Sequence, residues 1–334
     1  MKLKKFSIIL AFVMILSSIF SGCSNNATTK EDKSSTKELK EVNVLLDWYP
    51  NAVHSFLYAA EDQGYFKEAG LKVNLITPAD TDDGIKLVAA KKADIAISYP
   101  KQIILARSEN IPVKSVGAIV RSSLNQLMVR KDAGVKTLKD LEGKKVGYPS
   151  FDIDKETVKT MVKQAGGDPS KVEFVDVGYD LMPGIESKKV DAIIGGYINH
   201  EKILLEKQGI QLDTFAPVDY GMPNNYELSF IASDDEIKNN NDTIQAFLGA
   251  VKKGFEYTKS NPDKALDLVL KAQNENFPLD PETEKKSLQI LLPLMENENG
   301  KFLSQDAENW NQNIKWLKDT NLLQGNVNSQ DVFK

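Results

Sequence analysis

Two stretches about a hundred residues apart share one plan. KLVAAKKADIAISYP (86–100) and PGIESKKVDAIIGGY (183–197) each read as a helix, a basic turn, an apolar strand, and a break at a small residue and an aromatic. The breaks are Ser98-Tyr99 in the first and Gly196-Tyr197 in the second. The same alternation runs around them. VNVLL (42–46), LKVNLIT (71–77), DIAIS (94–98), the strand within TLKDLEGKKVGYPS (137–150) and VEFVDV (172–177) are apolar runs of strand length. Segments 52–68, 82–93 and 157–167 between them have helical spacing. A chain that alternates in this way is confined to an α/β fold with a mainly parallel sheet, and two half-chains of similar design predict two similar lobes. After residue 226 the alternation fades: YELSFIAS (226–233) is one more strand, and 241–259, 262–272, 281–295 and 305–319 read as helices. A helix-rich tail returning to the first lobe sets the expected division, 41–128 plus 230–330 for lobe 1 and 129–229 for lobe 2, with two extended crossings.

The beginning of the chain predicts a compartment. Lys2, Lys4 and Lys5 precede an apolar run from Ile8 to Phe20, and Ser21-Gly22-Cys23 follows. That pattern predicts a secretory signal over 1–22, and Cys23 stands where a bacterial lipobox carries the lipidated cysteine. Cys23 is also the only cysteine, which leaves the rest of the chain without a disulfide, a thiolate nucleophile or a Cys-ligated metal. An exported chain without disulfides depends on a large apolar core, and 334 residues are enough to bury one. SNNATTKEDKSSTKELK (24–40) is polar and without periodicity, so 23–40 is expected to be a flexible tether behind the lipid. With a net charge of −5 and no basic block, nucleic acid is not an expected partner. The expectation is an extracytoplasmic monomer, lipid-anchored to the bacterial cell membrane.

Ligands of open α/β sheets sit beyond the carboxyl ends of strands, and the polar and aromatic breaks fall there: 47–54, 98–99, 148–151 (which includes Ser150) and 195–197. LLDWYPNAVHSFLY (45–58) is the densest of them. Two readings are open for each of its residues. Trp48 is a stacking face or part of a core; Asn51 is a ligand contact or the N-cap of the next helix; His54 is a cleft residue or a first-turn surface one. His200 is the only other histidine, at no metal-ligand spacing, so no metal is expected. In NNYEL (224–228), Glu227 beside Tyr226 is either a solvated strand residue or an acid facing a cleft. Enzymatic signatures are missing: there is no GxSxG, Walker loop or GxGxxG after a strand.

Over nearly all of 41–320 the organisation resembles the substrate-binding lipoproteins of bacterial ABC importers. LLDWYPNAVHSFLYAAEDQGYFKEAGLKV is similar to the opening of the family that contains pyrimidine-precursor binding proteins and the eukaryotic thiamine-pyrimidine synthases, and ADIAIS, TLKDLEGKKVGYPS and VDAIIGGY follow its pattern. The resemblance implies a two-lobed periplasmic-binding-protein-like fold (type II) with a cleft between the lobes, no cofactor, and no catalysis. The implied ligand is N-formyl-4-amino-5-aminomethyl-2-methylpyrimidine; the implied partners are a permease and its ATPase. Trp48, Asn51 and His54 would form one wall of the cleft, Tyr99, Ser150 and Tyr197 would come from strand ends, and Tyr226 and Glu227 would complete the far wall. Binders of riboflavin, sulfonate or taurine, and nitrate share the architecture and stand as alternatives. The synthase enzymes are a further one, but resemblance to them would require a lysine at Ser98, a histidine at Gln102 and a cysteine-rich motif over NYELSFIA, and the chain has none of these.

Overall fold

The computed structural model describes residues 38–80, 83–150, 152–178, 180–296 and 300–334. The expected signal, Cys23 and most of the tether lie outside the described residues. Among the described residues ten strands form two five-stranded sheets. The first contains β1 (Lys40–Leu45), β2 (Leu71–Ile76), β3 (Ile95–Ser98) and β4 (Val113–Val120); the second contains β5 (Leu127–Arg130), β6 (Lys145–Tyr148), β7 (Glu173–Asp176), β8 (Ala192–Ile193) and β9 (Leu212–Phe215). The chain then returns to the first sheet as β10 (Leu228–Ser233).

The two sheets have one topology. Their strand orders are β2-β1-β3-β10-β4 and β7-β6-β8-β5-β9, so β3 and β8, the strands of the two repeated stretches, occupy the same place. Four strands of each sheet run in one direction. The fifth, β10 or β5, is the strand that has just crossed from the other sheet, and it pairs antiparallel with both neighbours. The connecting segments are 121–126 and 216–227.

Helices cover both sheets: α1 (Ser55–Asp62), α2 (Tyr65–Glu68), α3 (Asp83–Ala89), α4 (Pro100–Ser108), α5 (Asp152–Gln164), α6 (Leu181–Glu186) and α7 (Glu201–Lys207), then α8 (Asp234–Asn239), α9 (Asn241–Ser260), α10 (Pro262–Lys271), α11 (Pro281–Met295), α12 (Ala307–Asp319) and α13 (Ser329–Val332). The segment expected as one helix over 52–68 is three pieces. A 3₁₀ turn at Ala52–His54 precedes α1, and Gly64, with φ 74°, separates α1 from α2 in a conformation that glycine adopts without steric cost. The helix expected over 157–167 starts earlier, at Asp152, and this extension brings Asp154 into the structure's interior.

Strand alternation decides which residues enter which core. Val42, Val44 and Leu46 face a cluster built with Phe56, Phe247, Val251 and Phe255 of α1 and α9. Leu45 points the other way, into a second cluster that runs through both halves, from Ile103, Trp310 and Ile314 to Leu127, Val146 and Met161. A third, around Ile185, Ile193 and Leu205, covers the outer face of the second sheet. α1 and α9 cross so closely that a Cβ on Gly254 would stand 2.2 Å from the Phe56 carbonyl oxygen.

Candidate ligand-binding site

The turn after β1 is held by its own polar residues. The backbone N–H of Asn51 donates to His54 Nδ1 at 3.2 Å, so that nitrogen accepts and the ring proton sits on Nε2. Nε2 lies 2.9 Å from Asp47 Oδ1, with His54 fully buried. The Asn51 side chain accepts from Val53 N at 3.0 Å and donates to Tyr49 O at 3.0 Å, closing the N-cap of the 3₁₀ turn. The structure thus commits the Asn51 amide and the His54 ring to the turn itself, where the resemblance had them facing a ligand. Trp48 stands apart from them, 46 % exposed, with its ring edge-on to Tyr49.

What the turn presents inward is Asp47 and, through it, Tyr99. The Tyr99 hydroxyl points at Asp47 Oδ2 from 3.4 Å. Tyr197, at the equivalent strand end of the second sheet, makes the corresponding contact with another acid: its hydroxyl donates to Glu227 Oε1 at 3.0 Å. Each half therefore offers one tyrosine oriented by one carboxylate. Burial, with Glu227, Tyr99 and Asp47 adding to it, holds the Tyr197 hydroxyl well above the usual phenol range, so it remains a donor.

Glu227 sits in the second connecting segment and binds the first. Its Oε2 accepts from Leu124 N at 2.7 Å, Ser123 Oγ at 2.9 Å and Asn125 N at 3.3 Å. The acid faces inward, 8 % exposed, and its hydrogen bonds fasten the two crossings to one another. Its neighbour Tyr226 points away, into the core. That ring packs edge-on to Trp310 and under the Arg121 guanidinium, and its oxygen accepts from Asp306 N at 3.0 Å, so Tyr226 belongs to the core and does not join Glu227 in one wall. Ser150 is exposed, in the left-handed region at φ 63°, and its hydroxyl donates to Asp176 Oδ1 at 2.6 Å; it ties the ends of β6 and β7 together.

Two charged residues that sequence reasoning missed complete the arrangement. Asp154 on α5 accepts from Asn125 Nδ2 at 3.0 Å, and Gly195 N in turn donates to Asn125 Oδ1 at 2.8 Å. Burial pushes the Asp154 carboxyl up to about 6, with Glu227 adding to the rise, while the Lys101 ammonium and the Asn125 amide oppose it. Lys101, in the first turn of α4, is itself pulled below the usual lysine range by burial, against the attraction of Glu227 and Asp154. A lysine at a helix N-terminus opposes the macrodipole, and that misplaced charge was the available signal. Asp154 was hidden by the late start assigned to α5. Ser98 and Ser229, opposite one another in the β3–β10 register, and Gln102 bury oxygens without a partner among the described residues.

The raised Asp154 carboxyl has a consequence for stability. The folded chain holds that proton more tightly than the unfolded one, so stability is lost as pH rises from about 4 through 6. Asp154→Asn keeps the Asn125 contact and removes the titration. It is expected to match the wild type in urea unfolding at pH 4 and to exceed it by about 3 kcal/mol at pH 7; a constant difference at both pH values would reject the account.

Among the described residues there is no cluster of three metal-ligating side chains and no helix long and apolar enough to cross a membrane. Two lobes of like topology, with paired tyrosines and buried polar groups converging from both and from the crossings, define the periplasmic-binding-protein class of fold. The aliphatic-sulphonate-binding protein SsuA of Escherichia coli superposes with a TM-score of 0.69 over 87 % of this chain and 96 % of its own, at 14 % identity, a likeness of fold alone. Within that class the chain belongs to the NMT1/THI5-like family, whose profile matches residues 51–265. The formylaminopyrimidine-binding protein of Halalkalibacterium halodurans is 42 % identical over 332 residues, covering 99 % of this chain and 98 % of its own. The 4-amino-5-hydroxymethyl-2-methylpyrimidine phosphate synthase of Legionella pneumophila is 26 % identical over 237 residues, 70 % of this chain and 73 % of that one.

Proposed function

We propose that this chain is the extracytoplasmic substrate-binding component of an ABC importer and captures N-formyl-4-amino-5-aminomethyl-2-methylpyrimidine for its permease and ATPase. The observation that carries the reading is Glu227: a buried acid fixed by four hydrogen bonds, sharing one of them with Tyr197, which in turn feels Tyr99 and Asp47. A 4-aminopyrimidine edge has an N–H donor beside a ring-nitrogen acceptor. A carboxylate meets the donor, and a tyrosine hydroxyl meets the acceptor once its single proton turns from its carboxylate to the ring nitrogen. The flat faces of Tyr99, Tyr197 and Trp48 suit a heteroaromatic ring. Because such a ligand would touch both lobes, it would favour the closed arrangement.

The charge around the site argues against anions. Asp47, Asp154 and Glu227 outnumber Lys101, and all three arginines are engaged elsewhere: Arg107 with Asp234 at 2.7 Å, Arg130 with Asp132 at 2.9 Å, and Arg121 with the carbonyls of Lys301 and Ser304. Sulfonate and nitrate would enter an acidic cleft with no arginine to receive them. A synthase activity is disfavoured by the absence of any cysteine after Cys23 and by Ser98 and Gln102 in their places. Calorimetric titration is expected to show tight binding of the formylaminopyrimidine and little heat with taurine, nitrate or riboflavin; the reverse order would remove the assignment. Removal of the 1–22 signal and lipidation of Cys23 belong to the same proposal, with the mature chain a monomer on the membrane surface. Radiolabelled palmitate is expected to mark the wild type in growing cells and not Cys23→Ala.

A further inference from the structure

We propose that Lys101 and Asp154 form a second subsite, reaching in from α4 and α5, that reads an acylamino group on the side chain of the ligand. The inference rests on the aminopyrimidine reading above and goes beyond it, since it assigns the selection of the side chain to two residues that do not read the ring.

The geometry leaves each residue with one unused capacity. Asp154 spends Oδ1 on the Asn125 amide, and that amide cannot turn away because its own oxygen is held by Gly195 N–H at 2.8 Å. Oδ2 remains as an acceptor. Lys101 makes no hydrogen bond among the described residues; its ammonium lies 5.0 Å from the centre of the Trp316 ring. Trp316 Nε1 donates to Thr160 Oγ1 at 3.2 Å, on the same helix as Asp154, so Lys101 is held at the junction of the halves. Asn125 joins the two acids: its side chain binds Asp154 and its backbone N–H points at Glu227. A group bonded next to the ring edge that Glu227 reads therefore falls beside Asp154.

A donor-only ammonium and an acceptor-only carboxylate, each within electrostatic reach of the other, match the C=O and N–H of a secondary amide. The pair is neutral overall and suits a neutral group. A free aminomethyl side chain would be drawn to the acids, but it would set a second cation against Lys101 and offer it no acceptor, so the discrimination falls to Lys101. The subsite thus selects acylated over free amine.

The test compares three probes by calorimetry: the N-formyl aminomethylpyrimidine, its deformylated amine, and 4-amino-2,5-dimethylpyrimidine, which has the ring and no side chain to read. In the wild type the formylated compound is expected to bind tightest. Lys101→Met is expected to reduce the preference for the formyl compound over the dimethyl compound at least tenfold, and to improve the free amine relative to both. Asp154→Asn is expected to reduce the same preference. Glu227→Gln is expected to weaken all three together. Retained binding of the dimethyl compound shows that a variant is folded. Unchanged preference in Lys101→Met and Asp154→Asn overturns the subsite while the ring reading stands. Failure of the wild type to bind any of the three overturns the ring reading, and the subsite with it.

Discussion

Replacing Glu227 with alanine is expected to lower folding stability by roughly 3–5 kcal/mol and to abolish measurable binding of the formylaminopyrimidine. The reason is that four donors converge on this carboxylate, and three of them, Ser123 Oγ, Leu124 N and Asn125 N, belong to the opposite crossing. Leu124 is 1 % exposed, so water does not replace the lost acceptor there. Tyr197 loses its orienting partner at the same time. Glu227→Gln separates the two roles. A glutamine oxygen can still accept from Leu124 and its neighbours, so most of the stability should survive. Its amide then turns a donor toward Tyr197 and the ligand, where an acceptor is required. Binding should weaken by about 1–3 kcal/mol while urea unfolding shifts much less. If glutamine and alanine destabilise equally, the carboxylate's negative charge, and not its acceptor geometry, holds the crossings.

Gly254→Ala should cost about 3 kcal/mol or more, although helix propensity alone favours alanine by about 1 kcal/mol. The added Cβ would lie 2.2 Å from the Phe56 carbonyl oxygen, 2.8 Å from the Ala60 Cβ and 3.0 Å from the Ala60 nitrogen. Two of the three are backbone atoms of α1, which cannot swing aside as the end of a long side chain can. α9 would have to back away, loosening Phe247 against Phe230 and Phe255 against Phe302. Urea unfolding reads the sign directly: a variant more stable than the wild type would mean that the helices separate at no cost. Gly249, on the same helix with open space around it, is the internal contrast, and alanine there should follow propensity.

The architecture was legible because it repeats. Two stretches of one design predict two similar lobes, the two sheets share one topology, and the same repeat pairs Tyr99 with Tyr197. The helices after residue 240 were equally plain; 281–295 agrees end to end with Pro281–Met295. The site was read less well, for a physical reason. A polar residue in a turn has two uses, to complete the turn or to meet a ligand, and spacing does not separate them. Asn51 and His54 complete the turn. Tyr226 and Glu227 are neighbours in sequence, but in the crossing the first turns to Trp310 and Asp306 and the second to Ser123 and Leu124. Lys101 and Asp154 lie just past the strand ends, in the first turns of helices, and an account restricted to the strand ends passes over them.

The apolar cluster that passes from Ile103 and Trp310 to Val146 and Met161 has a mechanical meaning. Two halves joined by threads alone could melt one after the other, each at its own temperature. Here the seam is packed, and a disturbance on one side removes neighbours from the other. Heat should therefore take the folded body apart in a single cooperative transition, and a bound ligand should raise that one temperature without splitting it.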